Sequence, residues 1–181
     1  MSSTVIKGVK LSLLVLMPLF LISSSKLDDF LEPAPSFEGS YSLWASGNLN
    51  QELKGVIRFE TGVEMAGDRT SFSVLELKLN NDSDTIRHSM GFLISRQNQS
   101  HEITIGTYRV AEDIDKLLSD FDGVFGFANV DIMGELPFFA QRGRIVITRL
   151  TQNVLEGSIM VTLRNSSKKT IKVNGYFKAI R

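Results

Sequence analysis

The chain contains no cysteine. That excludes disulfide staples, thiolate nucleophiles, iron–sulfur clusters and lipid attachment at a cysteine. Stability has to come from packing and backbone hydrogen bonds. Histidine is nearly as scarce, with His88 and His101 the two in the chain. They fall on different expected elements, and His101-Glu102 lacks the second histidine of a zinc-protease helix. Neither has the partners that a metal site needs. No G-x-x-x-x-G-K or G-x-G-x-x-G segment is present to cradle a phosphate. Gly157-Ser158 lacks the second glycine of a nucleophile elbow. Asp113, Asp115, Asp120 and Asp122 fall on the solvent side or at the end of an expected helix, not as the facing pair that glycoside hydrolysis requires. The sequence therefore assigns no catalytic residue, no metal ligand and no cofactor, and the chain is expected not to be an enzyme.

An excess of either charge is also missing, since 20 Lys and Arg balance 20 Asp and Glu. Such a composition provides no net basic field to collect phosphates, so nucleic acid is not an expected partner. Attraction to an anionic membrane surface is equally unsupported.

Long apolar runs are absent except for one, at residues 11–22 (LSLLVLMPLFLI), which spans 12 positions and carries Ser12 and Pro18 inside it. A membrane-spanning helix needs about 20 apolar residues. Lys7 and Lys10 precede the run, and Ser23, Ser24 and Ser25 follow it. A positive start, a short apolar stretch and a small-residue exit form the layout of a secretory leader. Residues 1–25 are accordingly expected to be a signal peptide cut near Ser25, with no membrane span left in the mature chain. The expected location is periplasmic or extracellular, without lipoprotein anchoring. About 156 residues then remain, enough for one domain that buries roughly two-thirds of its unfolded surface.

Pro33 and Pro35 remove amide donors within residues 26–37, which reads as a linker. From residue 38 to 181 the pattern is that of one β-rich domain, with short alternating runs cut by Gly, Asn and Asp. Strands are expected over 40–46, 53–61, 71–79, 86–95, 103–110, 123–130, 144–150, 157–164 and 170–180. Leu75, Leu77 and Leu79 alternate with Glu76 and Lys78, the signature of a half-buried strand. Phe72 and Val74 have the opposite parity, which predicts a bulge or a twist near Val74. Ile159, Val161 and Leu163 share one face, as do Ile171, Val173, Gly175, Phe177 and Ala179. The last three strands should form an antiparallel meander. Residues 111–122 place Ile114, Leu117, Leu118 and Phe121 on one helical stripe, with Gly123 as a stop. The expectation is an antiparallel β-sandwich or β-barrel of about eight strands with one short helix.

Several pieces resemble a group of exported bacterial envelope proteins, of no assigned function, from Bacteroidota and related lineages. They are Gly106-Thr107-Tyr108, the run from Gly143 through Ile145 and Ile147 to Thr148, the run Leu155-Glu156-Gly157-Ser158-Ile159-Met160-Val161, and Gly175-Tyr176-Phe177-Lys178-Ala179. The resemblance covers about residues 40–180 and implies an exported β-rich domain. Members of that group often carry a lipid-attachment cysteine, which this chain lacks. No catalytic residue is implied.

The aromatics supply the candidate contact residues: Tyr41 and Trp44 in the first strand, and Phe138 and Phe139 after Pro137 in an expected loop at 134–142. Tyr41 and Leu43 share one parity and Trp44 takes the other. Phe138 and Phe139 are adjacent, so an extended backbone cannot turn both inward, and one is left for a pocket mouth or a partner surface. Two roles follow. One is a non-enzymatic binding or structural module of the cell envelope with an envelope partner. The alternative is a β-barrel carrier of a small apolar ligand.

Overall fold

A computed structural model describes residues 38–65, 70–81, 86–97, 102–111 and 121–181. The expected leader and linker lie outside the described residues, and so do residues 112–120 of the expected helix. The described elements are β1 (Gly39–Gly47), β2 (Gln51–Met65), β3 (Ser71–Asn81), β4 (His88–Gln97), β5 (Gly106–Arg109), β6 (Gly123–Val130), a 3-10 turn (Asp131–Met133), β7 (Phe138–Leu150), β8 (Val154–Arg164) and β9 (Thr170–Ile180). They form one sheet closed on itself. Its strands run β1-β2-β3-β4-β6-β7-β8-β9 and return to β1, with every neighbouring pair antiparallel. The architecture is thus an eight-stranded barrel with one additional strand. Closure gives every barrel strand a partner on both sides, at the β6–β7 seam through two residue pairs, which suits a domain that has no disulfides to protect it.

Alternation decides which side chains fill the barrel. Tyr41, Leu43 and Ala45 of β1 point inward, as do Leu53, Ile57 and Phe59 of β2 and Leu75, Leu77 and Leu79 of β3. Leu155, Ile159, Val161 and Leu163 of β8 face Ile171, Val173, Phe177 and Ala179 of β9 from the same interior. The largest fully buried side chains are Phe59, Phe92 and Phe138. Each such burial contributes about 1.5–3 kcal/mol, and eight strands enclose a space that side chains of this size fill.

The seam between β6 and β7 departs from regularity. These strands pair only at Phe127–Phe139 and Ala128–Phe138. A register shift between Ala140 and Arg142 then turns β7 away, and β5 takes its place beside the second half of β7, pairing Gly106–Arg109 with Ile147–Arg144. Val110 bridges to Val124 of β6. Tyr108 and Val110 join the core, so β5 is a wedge in the splayed seam.

Three expectations need correction. Phe138 and Phe139 are not in a loop but open β7, because Phe138 fills the interior, both residues pair with β6, and Phe139 pairs with β8 as well. No bulge occurs at Val74, since β3 pairs with β2 and with β4 in unbroken register from Phe72 to Asn80. The parity conflict arises because both faces of β3 are buried there, and Phe72 and Val74 are buried apart from the core cluster. Finally, β5 is shorter than the expected 103–110 strand.

Gly157 and Gly175 sit at inward positions of β8 and β9. A β-carbon at Gly157 would collide with the Val146 carbonyl, and one at Gly175 with the Ser42 carbonyl. Neighbouring backbone already occupies the space, so these glycines permit close strand approach and leave no bare backbone for a ligand.

Candidate functional site on the barrel wall

The four sequence-predicted contact residues separate into two pairs. Tyr41 and Phe138 lie inside the barrel, and Trp44 and Phe139 lie on its outer wall.

Inside, Tyr41 belongs to a polar pair. Its hydroxyl lies 2.6 Å from His88 Nε2, and His88 Nδ1 lies 2.9 Å from the Ile86 carbonyl oxygen. A carbonyl only accepts, so Nδ1 carries the proton of the neutral ring. Nε2 is then the acceptor, and Tyr41 donates to it. The rings meet edge to face at 6.0 Å. Gly55 leaves room for the phenol, since a β-carbon there would stand 2.8 Å from Tyr41 Oη. Burial raises the Tyr41 phenol far above its ordinary range. Burial also lowers the His88 imidazole below its usual value, and the hydrogen bond to Ile86 offsets part of that fall. Both groups therefore stay neutral at ordinary pH, satisfied by one another and closed off from solvent.

Outside, Trp44 is 56% exposed. Strand register places it in a row that crosses five strands. Trp44 on β1 faces Asn174 on β9, Asn174 faces Met160 on β8, Met160 faces Arg144 on β7, and Arg144 faces Arg109 on β5. The adjacent row runs from Ser46 to Lys172, Thr162 and Arg142. The two rows line a groove of about 550 Å³ whose lining, among the described residues, holds no carboxylate. On its other side Trp44 has Tyr176 as a diagonal neighbour, 78% exposed and paired with Ser42 and Ser158. With a strand spacing of about 4.8 Å, the row from Trp44 to Arg109 spans roughly 19 Å.

Four other cations on the wall have acidic partners. Lys54 pairs with Glu52, Lys78 with Glu60 and Glu76, and Arg149 and Lys178 with Glu156. Among the described residues, Arg109, Arg142, Arg144 and Lys172 have no carboxylate within ion-pair distance. A chain neutral overall thus carries a one-sign patch beside exposed aromatics.

Phe139 stands on a separate part of the wall, with its ring 6.2 Å from that of Phe125. It is not brought together with Trp44. Sequence reasoning missed Tyr176, Met160 and the four cations. Tyr176 and Met160 carried a usable signal, because each takes the outward parity of a strand whose inward set was already plain. The cations carried none, since they come from three strands that only the barrel's register aligns.

Among the described residues no group of three or more His, Asp or Glu side chains is placed to hold a metal ion. No protein-family model, curated protein or solved structure matches this chain.

Proposed function

We propose that this protein is an exported, non-enzymatic binding module of the bacterial cell envelope that works through the outer wall of its barrel. The observation that carries the reading is the exposed strip of Trp44, Met160 and Tyr176 on a barrel whose interior is occupied by its own side chains. Large apolar side chains left in water beside polar neighbours mark contact surfaces. Export is supported by the leader at residues 1–25, and the envelope setting by the resemblance of residues 40–180. The wall supports a water-facing barrel: strands alternate apolar inward and mostly polar outward, the inverse of a membrane barrel, whose lipid face is apolar. The non-enzymatic reading is supported by the placement of Tyr41 and His88, whose donor and acceptor atoms are spent on one another inside the core.

A second reading, carriage of a small apolar ligand, has one observation in its favour. A depression of about 470 Å³ opens at the end of the barrel that holds the β7–β8 turn, beside Phe59, Ile103 and Leu150. Arg181 crosses it, bonded to Thr61 Oγ1 at 2.9 Å and lying 6.0 Å from the Phe59 ring centre. The buried Phe59, Phe92 and Phe138 side chains weigh against a ligand reaching farther inside.

Native mass spectrometry of the protein purified from a bacterial envelope fraction tests both readings. The expected species is a ligand-free polypeptide that begins near residue 26. A co-purifying apolar molecule released only on unfolding would replace the wall reading with the carrier. A cytosolic chain that retains Met1 would overturn export.

A further inference from the structure

We propose that the groove between Trp44 and Arg109 binds an acidic polysaccharide, with a sugar ring on Trp44 and sugar carboxylates or sulfates on Arg142, Arg144, Arg109 and Lys172. This rests on the reading of the barrel wall as the contact surface and names its partner.

The charge argument comes first. Four cations line one groove of about 550 Å³ without a carboxylate among its described lining residues. Like charges held together in this way repel one another, and an anionic ligand relieves that repulsion. Arg142 and Arg144 are two residues apart on one face of β7, about 7 Å along the strand, and Arg109 lies directly across from Arg144. Guanidinium groups set at such intervals suit a polymer with repeated carboxylate or sulfate groups, each held by paired N–H donors.

The remaining lining narrows the partner. Trp44 offers a broad π-face whose negative potential suits the C–H face of a pyranose ring. Thr162 and Asn174 lie between the tryptophan and the arginines, Ser46 lies beside the tryptophan on β1, and each can exchange hydrogen bonds with hydroxyl groups. A single-stranded nucleic acid calls for several stacking aromatics in succession, whereas Trp44 is the one aromatic among the described lining residues. A peptide that adds as a strand needs a free sheet edge, and the ladders on both sides of β8 and β9 are already occupied. A flat bilayer does not enter a concave groove about 19 Å long whose width is only two rows of side chains. The length instead accommodates a short run of linked sugars.

The test is isothermal titration of the full-length exported protein with polygalacturonate. Neutral dextran, single-stranded poly(dT) and phosphatidylglycerol vesicles are titrated in parallel. Polygalacturonate is expected to bind, dextran not to, and raising salt from about 0.05 to 0.5 M should weaken binding as the charges are screened. The double variant Arg142→Gln/Arg144→Gln should bind at least about 10-fold more weakly, because two charge-assisted contacts are lost. Trp44→Ala should lose roughly 5-fold or more, and that loss should persist at high salt because stacking is not screened. Arg58→Gln, an exposed cation on β2 outside the groove, should bind as the parent does. Thermal melts confirm that each variant folds. Tighter binding of poly(dT) or of vesicles overturns the polysaccharide. An equal loss in Arg58→Gln and in the double arginine variant overturns the groove. No polygalacturonate binding, with a ligand-free native mass spectrum, overturns the polysaccharide and leaves the wall reading in place. An apolar ligand released on unfolding overturns the wall reading itself.

Discussion

Phe138 and Phe139 are consecutive residues of β7, yet Phe138 is 0% exposed and Phe139 is 42% exposed. Val161 and Met160 on β8 repeat the contrast, one buried in the core and the other 47% exposed on the wall. The inner surface of this barrel and its outer wall are built from the same strands by alternate residues, and they answer to different physics. Inside, every side chain is confined by neighbours, so volume and polarity are fixed. Outside, a residue is free of packing constraints, and its chemistry is available for contact. Such a division lets the contact surface differ between barrels without cost to the fold.

The sharpest way to break this comparison is to place a charge on each side of one strand. Val161→Asp would bury a carboxylate without a partner, at a cost of several kcal/mol against a total stability of about 5–15 kcal/mol. The variant should show no cooperative thermal unfolding transition by circular dichroism. Met160→Asp, one residue earlier, should melt within a few degrees of the parent. Equal effects would mean that parity does not separate core from wall.

A smaller contrast comes from the two phenylalanines. Phe138→Ala should lose about 3–5 kcal/mol in urea denaturation, through lost transfer energy and the cavity left behind. Phe139→Ala should lose less than about 1 kcal/mol, because its ring keeps water on one side and touches chiefly Phe125. A large loss at Phe139 would show that the wall aromatics serve stability, which would weaken the case for Trp44 as a contact residue as well.

The same parity explains how much of this protein was legible beforehand. Leu75, Leu77 and Leu79, and the inward sets of β8 and β9, alternate so regularly that strand and face follow from local sequence. Alternation says nothing about which strand lies next door, so sandwich and barrel remained equal until β7 was seen to pair with β8 on one side and with β6 and β5 on the other. Phe138-Phe139 after Pro137 read as a loop because two adjacent aromatics break the alternation, although one of them simply faces out. Trp44 stood out as the member of its strand with the wrong parity for the core. Its groove could not be read, because Arg109, the Arg142–Arg144 pair and Lys172 are distant in sequence and meet only through register. Net charge misled in the same way, since a balanced total conceals one groove whose described lining carries cations and no carboxylate.

Within the interior itself, polar and apolar content are compared by Tyr41→Phe. The change keeps the ring and removes the donor to His88 Nε2, leaving a buried acceptor unpaired. The expected loss is about 1–2 kcal/mol by urea denaturation, well below that of Phe138→Ala. A neutral result would mean that water reaches His88 in the variant and that this part of the barrel is less closed than its burial implies.

The smallest expected effect is a dependence of stability on pH at both ends of the range. Burial holds the His88 imidazole below its usual value near 6.5, so the folded protein resists the proton that the unfolded chain accepts. Between about pH 6.5 and the lower folded value, the unfolded state binds more protons, and stability falls as the solution is acidified. Tyr41 acts at the other limit. Its phenol is raised above the ordinary value of 10.0, so above about pH 10 the unfolded chain loses a proton that the folded protein keeps, and stability falls as pH rises. Melting temperature measured from pH 5 to 11 should therefore show a plateau with two falling limbs. His88→Gln should flatten the limb between about pH 6.5 and 5, where carboxylates contribute little, and Tyr41→Phe should flatten the alkaline one. If Tyr41→Phe left that limb as steep as in the parent, the closed, neutral Tyr41–His88 pair would have to be abandoned.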